Sequence, residues 1–205
     1  ETDVIAIGGG AMTVPRYLET TRAGSRQVVL EIDPELVDVV DVEFGLPLAP
    51  DRVLVGDGRL SLRSLPDDSA DVVVGDAFGS RAVPWHLTTA EFMADIERVL
   101  RPGGVYVSNL IDGPTESFLR AEAATVATSM PHVGVVRSAN LVDGRAGNAV
   151  VVASTEPLDV EAWDDERLRH GDGGALVDEI DAYLADALVL TDDFAPVDQL
   201  IAGSR

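Results

Sequence analysis

Cysteine is absent from this chain of 205 residues, and so is lysine. The first absence excludes disulfides and thiolate metal sites. The second excludes a P-loop, which needs a lysine to reach the phosphates. Histidine is sparse. His86, His132 and His170 are scattered without paired spacing, so no metal cofactor is expected. There is no G-x-S-x-G segment to anchor a serine hydrolase. No apolar run reaches the length of about 18 residues that a membrane span requires. The start of the chain lacks the basic flank and small-residue cleavage site of a signal peptide, so a cytoplasmic location is expected.

Positive charge is also scarce. Fifteen arginines face 36 acidic residues, for a net charge of −21. Such a surface repels nucleic-acid phosphates and anionic membranes, so neither is expected as a partner. A cationic partner such as a polyamine would be attracted. The plainer reading is solubility, with arginine replacing lysine through codon usage.

What is present is a good core and a regular alternation. Hydrophobic residues make up 46% of the chain, which suits one compact domain over residues 1–205. Strand-like runs occur at 4–8, 27–33, 52–58, 70–76, 105–111, 133–139 and 148–154. Helical patterns occupy 13–22, 34–44, 88–100, 115–130 and 175–188. Pro34 opens one helix, and a threonine cap with an acidic first turn opens another. The pattern predicts a mostly parallel, doubly wound α/β sheet of seven strands with right-handed crossovers. The runs 133–139 and 148–154 form an antiparallel pair at its edge. Residues 155–173 read as a surface loop.

In such a sheet, ligands bind beyond the carboxyl ends of the strands. The first strand ends in Gly8, Gly9 and Gly10. The second ends in Glu31, Ile32 and Asp33, the third in Asp57 and Gly58, and the fourth in Asp76 and Ala77. Glycines allow close approach of backbone to ligand. A carboxylate about 20 residues later, here Glu31, can accept from both ribose hydroxyls. Asp57 could accept from an adenine amino group, or simply make a glycine-flanked turn. Together these groups point to a nucleoside crevice. The segment GGGAMT has threonine where a dinucleotide motif wants its last glycine, so a nicotinamide enzyme ranks second.

Read together, IGGGAMTVPRYL, VVLEIDPELVDVV, VLVGDGR, DVVVGDAF…VPWHLTTAEF, LRPGGVYVSNL and LTDDFAPVDQL resemble the spermidine synthase-like branch of class I S-adenosylmethionine-dependent transferases. The resemblance spans nearly the whole chain. It implies a Rossmann-like methyltransferase fold, a homodimer, and S-adenosylmethionine, its decarboxylated form or methylthioadenosine as ligand. It implies that Gly8–Gly10 lie beneath the methionine-derived part, with Glu31 on the ribose and Asp57 facing the adenine. Ile32, Gly58, Asp76 and Ala77 adjoin the same ligand. Asp76 matches the first aspartate of the D-S-[ST]-D segment, which positions and deprotonates the attacking amine.

The departures are equally specific. Ala11 replaces the aspartate of G-G-G-D-G that pairs with the aminopropyl ammonium, and Gly79 replaces the second aspartate of D-S-[ST]-D. The family's N-terminal β-domain has no counterpart in this sequence. An ammonium left without partners in a closed site is costly. Ala11 also removes a carboxylate that would repel the carboxylate of intact S-adenosylmethionine. The expectation is therefore transfer of an alkyl group, with methyl favoured, to a small amine or other acceptor. True aminopropyl transfer and a non-catalytic nucleoside-binding domain are the alternatives. Trp85 and His86 could wall the acceptor pocket, or pack their loop onto the next helix. Asp192 and Asp193 could face it, or serve as turn and helix-end residues.

Overall fold

The computed structural model describes residues 2–22, 24–46, 49, 52–78, 83–159, 162–163, 165, 169 and 173–203. Gly79, His170 and much of the stretch read as a loop lie outside the described residues.

The elements run β1 (Asp3–Ile7), α1 (Thr13–Thr21), β2 (Arg26–Glu31), α2 (Pro34–Phe44), β3 (Val53–Val55), α3 (Gly58–Arg63), β4 (Ala70–Gly75), α4 (Ala90–Val99), β5 (Leu100–Asp112), α5 (Ser117–Val126), β6 (His132–Arg137), α6 (Ala139–Val142), β7 (Gly147–Ser154), β8 (Ala175–Leu176), α7 (Ile180–Leu184) and α8 (Val197–Gly203). They build one sheet in the order β3-β2-β1-β4-β5-β7-β6-β8. The first five are parallel, β7 runs against β5, and β6 runs against β7.

The expected seven strands are joined by an eighth. Residues 175–188 were expected to form one amphipathic helix, but Ala175 and Leu176 pair instead with Arg137 and Val136 on the open edge of β6. The helix is confined to Ile180–Leu184. An unpaired strand edge offers backbone hydrogen bonds to a neighbouring extended segment, and local helical periodicity does not oppose that.

Alternation in β1 divides the core. Ile5 and Ile7 pack with Leu62, Phe92, Ile96 and Phe118 beneath α3, α4 and α5. Ala6 packs with Met12, Val29, Val40 and Val53 beneath α1 and α2. Each strand buried on both faces therefore reads as a continuous apolar run. Helices α2 and α4 start where short side chains satisfy their first N–H groups. Asp33 accepts from Glu35 and Leu36 at 2.9 and 3.2 Å, and Thr89 accepts from Phe92 at 3.3 Å. Buried Asp112 accepts from Gly113 and Leu119 at the head of α5.

The chain leaves β1 toward β2 on one side and returns through β4 on the other. That reversal opens a crevice at the carboxyl ends of β1 and β4.

Candidate functional site

A cleft of about 510 Å³ lies in that crevice. Gly8, Gly10, Glu31, Ile32, Asp57, Gly58, Asp76, Ala77 and His86 line it, with Ile7, Leu30, Leu36, Phe78, Pro84 and Leu87 as its apolar wall. The ends of four strands thus converge on one space.

Gly8 is dictated by its surroundings. Its φ is +95°, and a Cβ there would lie 2.5 Å from the Asp76 carbonyl oxygen. Only glycine lets β1 and β4 close together at this point. Gly10 also has positive φ, and a Cβ on it would meet nothing within 4 Å, so its exposed backbone borders open space.

Glu31 is buried, 6% exposed, and holds the glycine turn from beneath. Its Oε2 accepts from Gly9 N at 2.7 Å and Gly10 N at 3.3 Å, while Oε1 accepts from Asp33 N at 2.9 Å. A carboxylate has about four acceptor sites. Three are taken, one of them weakly, so Glu31 can accept one further hydroxyl and a second by releasing Gly10. Gly9 itself does not line the cleft; its contribution is the bond to Glu31.

Asp57 is both the turn residue and a cleft residue. Oδ1 caps α3 through Leu60 N at 2.9 Å, and Oδ2 lies 2.8 Å from His86 Nε2. Burial opposes its ionisation, but the bonds from Leu60 and His86 outweigh it and hold the carboxyl below its ordinary range. An ionised carboxylate only accepts, so His86 Nε2 carries the proton in this bond.

Asp76 is exposed at the end of β4. Its Oδ1 accepts from Asn109 Nδ2 at 2.8 Å, and Asn109 Oδ1 in turn accepts from Asn148 Nδ2 at 3.1 Å. Three neighbouring strands, β4, β5 and β7, thereby fix the carboxylate at the edge of the cleft. Ile32 is 68% exposed at the mouth, an apolar side chain that a flat ring could cover.

The other expected site residues lie apart. Asp192 forms a two-pronged pair with Arg59 at 2.7 and 2.8 Å and accepts from Thr89 Oγ1 at 2.7 Å. Its role is to pin the C-terminal segment to α3 and α4, and it does not line the cleft. Asp193 and Trp85 border a separate groove beyond Pro84. Trp85 reaches the cleft only through His86, whose ring it meets edge-on at 5.8 Å.

Known proteins carry the same architecture. The model of the methyltransferase domain matches residues 5–108. The chain belongs to the methyltransferase domain family. Within it the chain is spermidine synthase-like. It is 31% identical over 125 residues to a polyamine aminopropyltransferase of Vibrio vulnificus, covering 60% of this chain and 40% of that protein. It is 28% identical over 128 residues to an eEF1A lysine and N-terminal methyltransferase of Xenopus laevis, covering 57% and 18%. The crystal structure of a probable spermidine synthase from Corynebacterium glutamicum superimposes with a TM-score of 0.84 at 29% identity, covering 96% of this chain and 74% of that one. The chain spans less than half the length of either curated relative.

The cleft of this family member fits an S-adenosylmethionine-related ligand. Its lining offers a glycine cradle, spare acceptor sites on Glu31 and an apolar wall behind Ile32. Sequence reasoning missed Arg59, Asn109 and Asn148. Arg59 is 7% exposed and ties together α3, α4, the His86 carbonyl and Asp192. The available signal was a polar side chain inside an apolar strand, as in VYVSNLI.

Proposed function

We propose that this chain binds S-adenosylmethionine in the cleft and transfers a methyl group to an amine held beside Asp76. Asp76 carries the reading: it is an exposed carboxylate at the rim of a nucleoside-shaped cleft, oriented by Asn109 at 2.8 Å. When bound, S-adenosylmethionine supplies a methyl group already activated by its sulfonium. The protein therefore has mainly to align the acceptor and exclude water. Glu31 and Asp57 would hold the ribose and adenine. Asp76 would accept a hydrogen bond from the acceptor nitrogen and then its proton. Leu87, Phe78 and Pro84 wall the space beside it.

The relatives support an amine acceptor from two directions. One is named for aminopropyl transfer to polyamines, the other for methyl transfer to lysine and N-termini. Ala11 favours methyl transfer. The carboxylates lining the cleft are Glu31, Asp57 and Asp76, and Ala11 offers none for an aminopropyl ammonium. Aminopropyl transfer from decarboxylated S-adenosylmethionine is the second reading, supported by the polyamine relatives.

Calorimetric titration with S-adenosylmethionine, its decarboxylated form and methylthioadenosine tests the ligand. Tightest binding is expected for S-adenosylmethionine, and no binding of any of the three would overturn the reading. Asp76→Asn is expected to bind within about twofold of the parent and to lose about 100-fold in transfer to amines. Unchanged turnover would remove Asp76 from the mechanism.

A further inference from the structure

Beyond Pro84 the cleft adjoins an open groove of about 630 Å³. Pro84 lines both spaces. On the groove side it is joined by Trp85, Asp193, Phe194, Asp198 and Gln199. Trp85 and Phe194 are 51% and 60% exposed, unusual for rings of this size on a surface otherwise rich in acids. The two aromatic faces stand beside two carboxylates, and the described lining contains no cationic side chain.

The groove is built rather than incidental. Thr191 and Phe194 exchange backbone hydrogen bonds at 3.0 and 3.1 Å, closing a tight turn with Asp192 and Asp193 at its tip. Asp192 anchors that turn through Arg59 and Thr89. Asp193 and Phe194, the next two residues of that turn, are exposed and line the groove together with Trp85. Trp85 leans on His86, which lines the cleft and bonds to Asp57. The groove and cleft are therefore two compartments of one continuous surface.

We infer that the groove receives a basic, extended peptide segment whose amine reaches the cleft. This rests on the amine-transfer reading above and specifies its acceptor as a polypeptide. Charge complementarity supports it: carboxylates and aromatic faces together attract ammonium and guanidinium groups. Size supports it too, since the groove is of the same order as the cleft and larger than a short diamine fills. Binding outside the cleft suits an acceptor with side chains to either side of the reacting nitrogen.

The probe is a synthetic peptide alternating glycine and lysine, titrated at low salt while Trp85 emission is followed in a Trp163→Phe background. The peptide is expected to shift that emission. Phe194→Ala leaves the net charge unchanged and is expected to weaken binding about fivefold. Asp193→Asn with Asp198→Asn is expected to weaken it about tenfold, an effect that fades as salt is raised. Calorimetry with S-adenosylmethionine on the same variants is expected to match the parent, which also verifies folding. Equal peptide affinity in parent and Phe194→Ala would reveal general attraction to an acidic surface and overturn the inference. An unmoved Trp85 signal would do the same, as would spermidine displacing the peptide at equal concentration. Conversion of a dimer to a monomer by Phe194→Ala would make the groove a self-association face and also overturn it. Loss of S-adenosylmethionine binding in the parent would instead sink the cofactor reading, whatever the peptide does.

Discussion

The two sides of the cleft are made differently. On the nucleoside side, backbone groups of β1 and β2 meet a buried carboxylate, and parallel register sets every position. On the proposed acceptor side, Asp76, Trp85 and Phe194 are exposed and stand at a strand tip, a single helical turn and a tight turn. Asp76 is held by Asn109, and the turn that carries Phe194 is held by the bonds of Asp192 to Arg59 and Thr89. On the proposed reading, a constant ligand meets rigid backbone and a variable one meets loops.

The largest expected effect strikes the nucleoside side. Gly8→Val would drive a branched side chain into the Asp76 carbonyl at a positive φ, costing about 3–5 kcal/mol. Denaturant unfolding measures it; a loss below about 1 kcal/mol would show that β1 and β4 can separate freely. Glu31→Ala should follow, weakening S-adenosylmethionine binding about 100-fold, because Gly9 and Gly10 lose their acceptor along with the ribose. If calorimetry instead returned the parent affinity, the rigid-backbone side of the comparison would fail.

Asp192→Ala tests the other side. Arg59 would be left buried with Asp95, at 3.6 Å, and the His86 carbonyl, at 3.3 Å, as weak partners. A loss of about 2 kcal/mol in thermal or denaturant unfolding is expected, with cofactor affinity spared. A coupled loss of cofactor binding would mean that the two sides are not separable.

The smallest effect is a matter of pH. Glu122 is wholly buried on α5, and its Oε2 has no hydrogen-bond partner among the described residues. Burial raises its carboxyl well above the ordinary 4.5. The unfolded chain therefore releases this proton at lower pH than the folded one. Its contribution is full below about pH 4.5 and is lost as pH rises through the folded value. Asp57, whose carboxyl is lowered, has the opposite sign and loses its contribution as pH falls through its folded value. Glu122→Gln should flatten the loss at rising pH, by about 1 kcal/mol, and leave the acid limb alone. Parallel stability curves for the two proteins across that range would contradict it.

The nucleoside side was legible because each of its groups follows an apolar run. GGG, EID, GDG and GDA stand at strand ends, and strand ends share one edge in a parallel sheet. The acceptor side was only partly legible. Asp76 belonged to the same series, but its partner Asn109 on β5 is 33 residues away, and Asn148 on β7, which bonds Asn109, is 39 residues further on. Asp192 shows the limit most clearly. As one of two adjacent aspartates in TDDF it was indistinguishable from Asp193. Its partner Arg59 lies 133 residues away. The segment 175–188 failed for a related reason: helical periodicity is local, whereas the free edge of β6 that captures Ala175 and Leu176 is not.

The sequence by itself determined the alternation of strands and helices, the parallel sheet and the carboxylates and glycines at its ligand edge. These follow from hydrophobic period and local turn chemistry, which nearby residues control. Only the tertiary structure decided that Glu31 also supports the glycine turn, that Asp192 is an anchor, and that Trp85 and Phe194 share a groove. Those outcomes depend on distant segments competing for the same few hydrogen-bond and packing partners, and no local pattern records which one prevails.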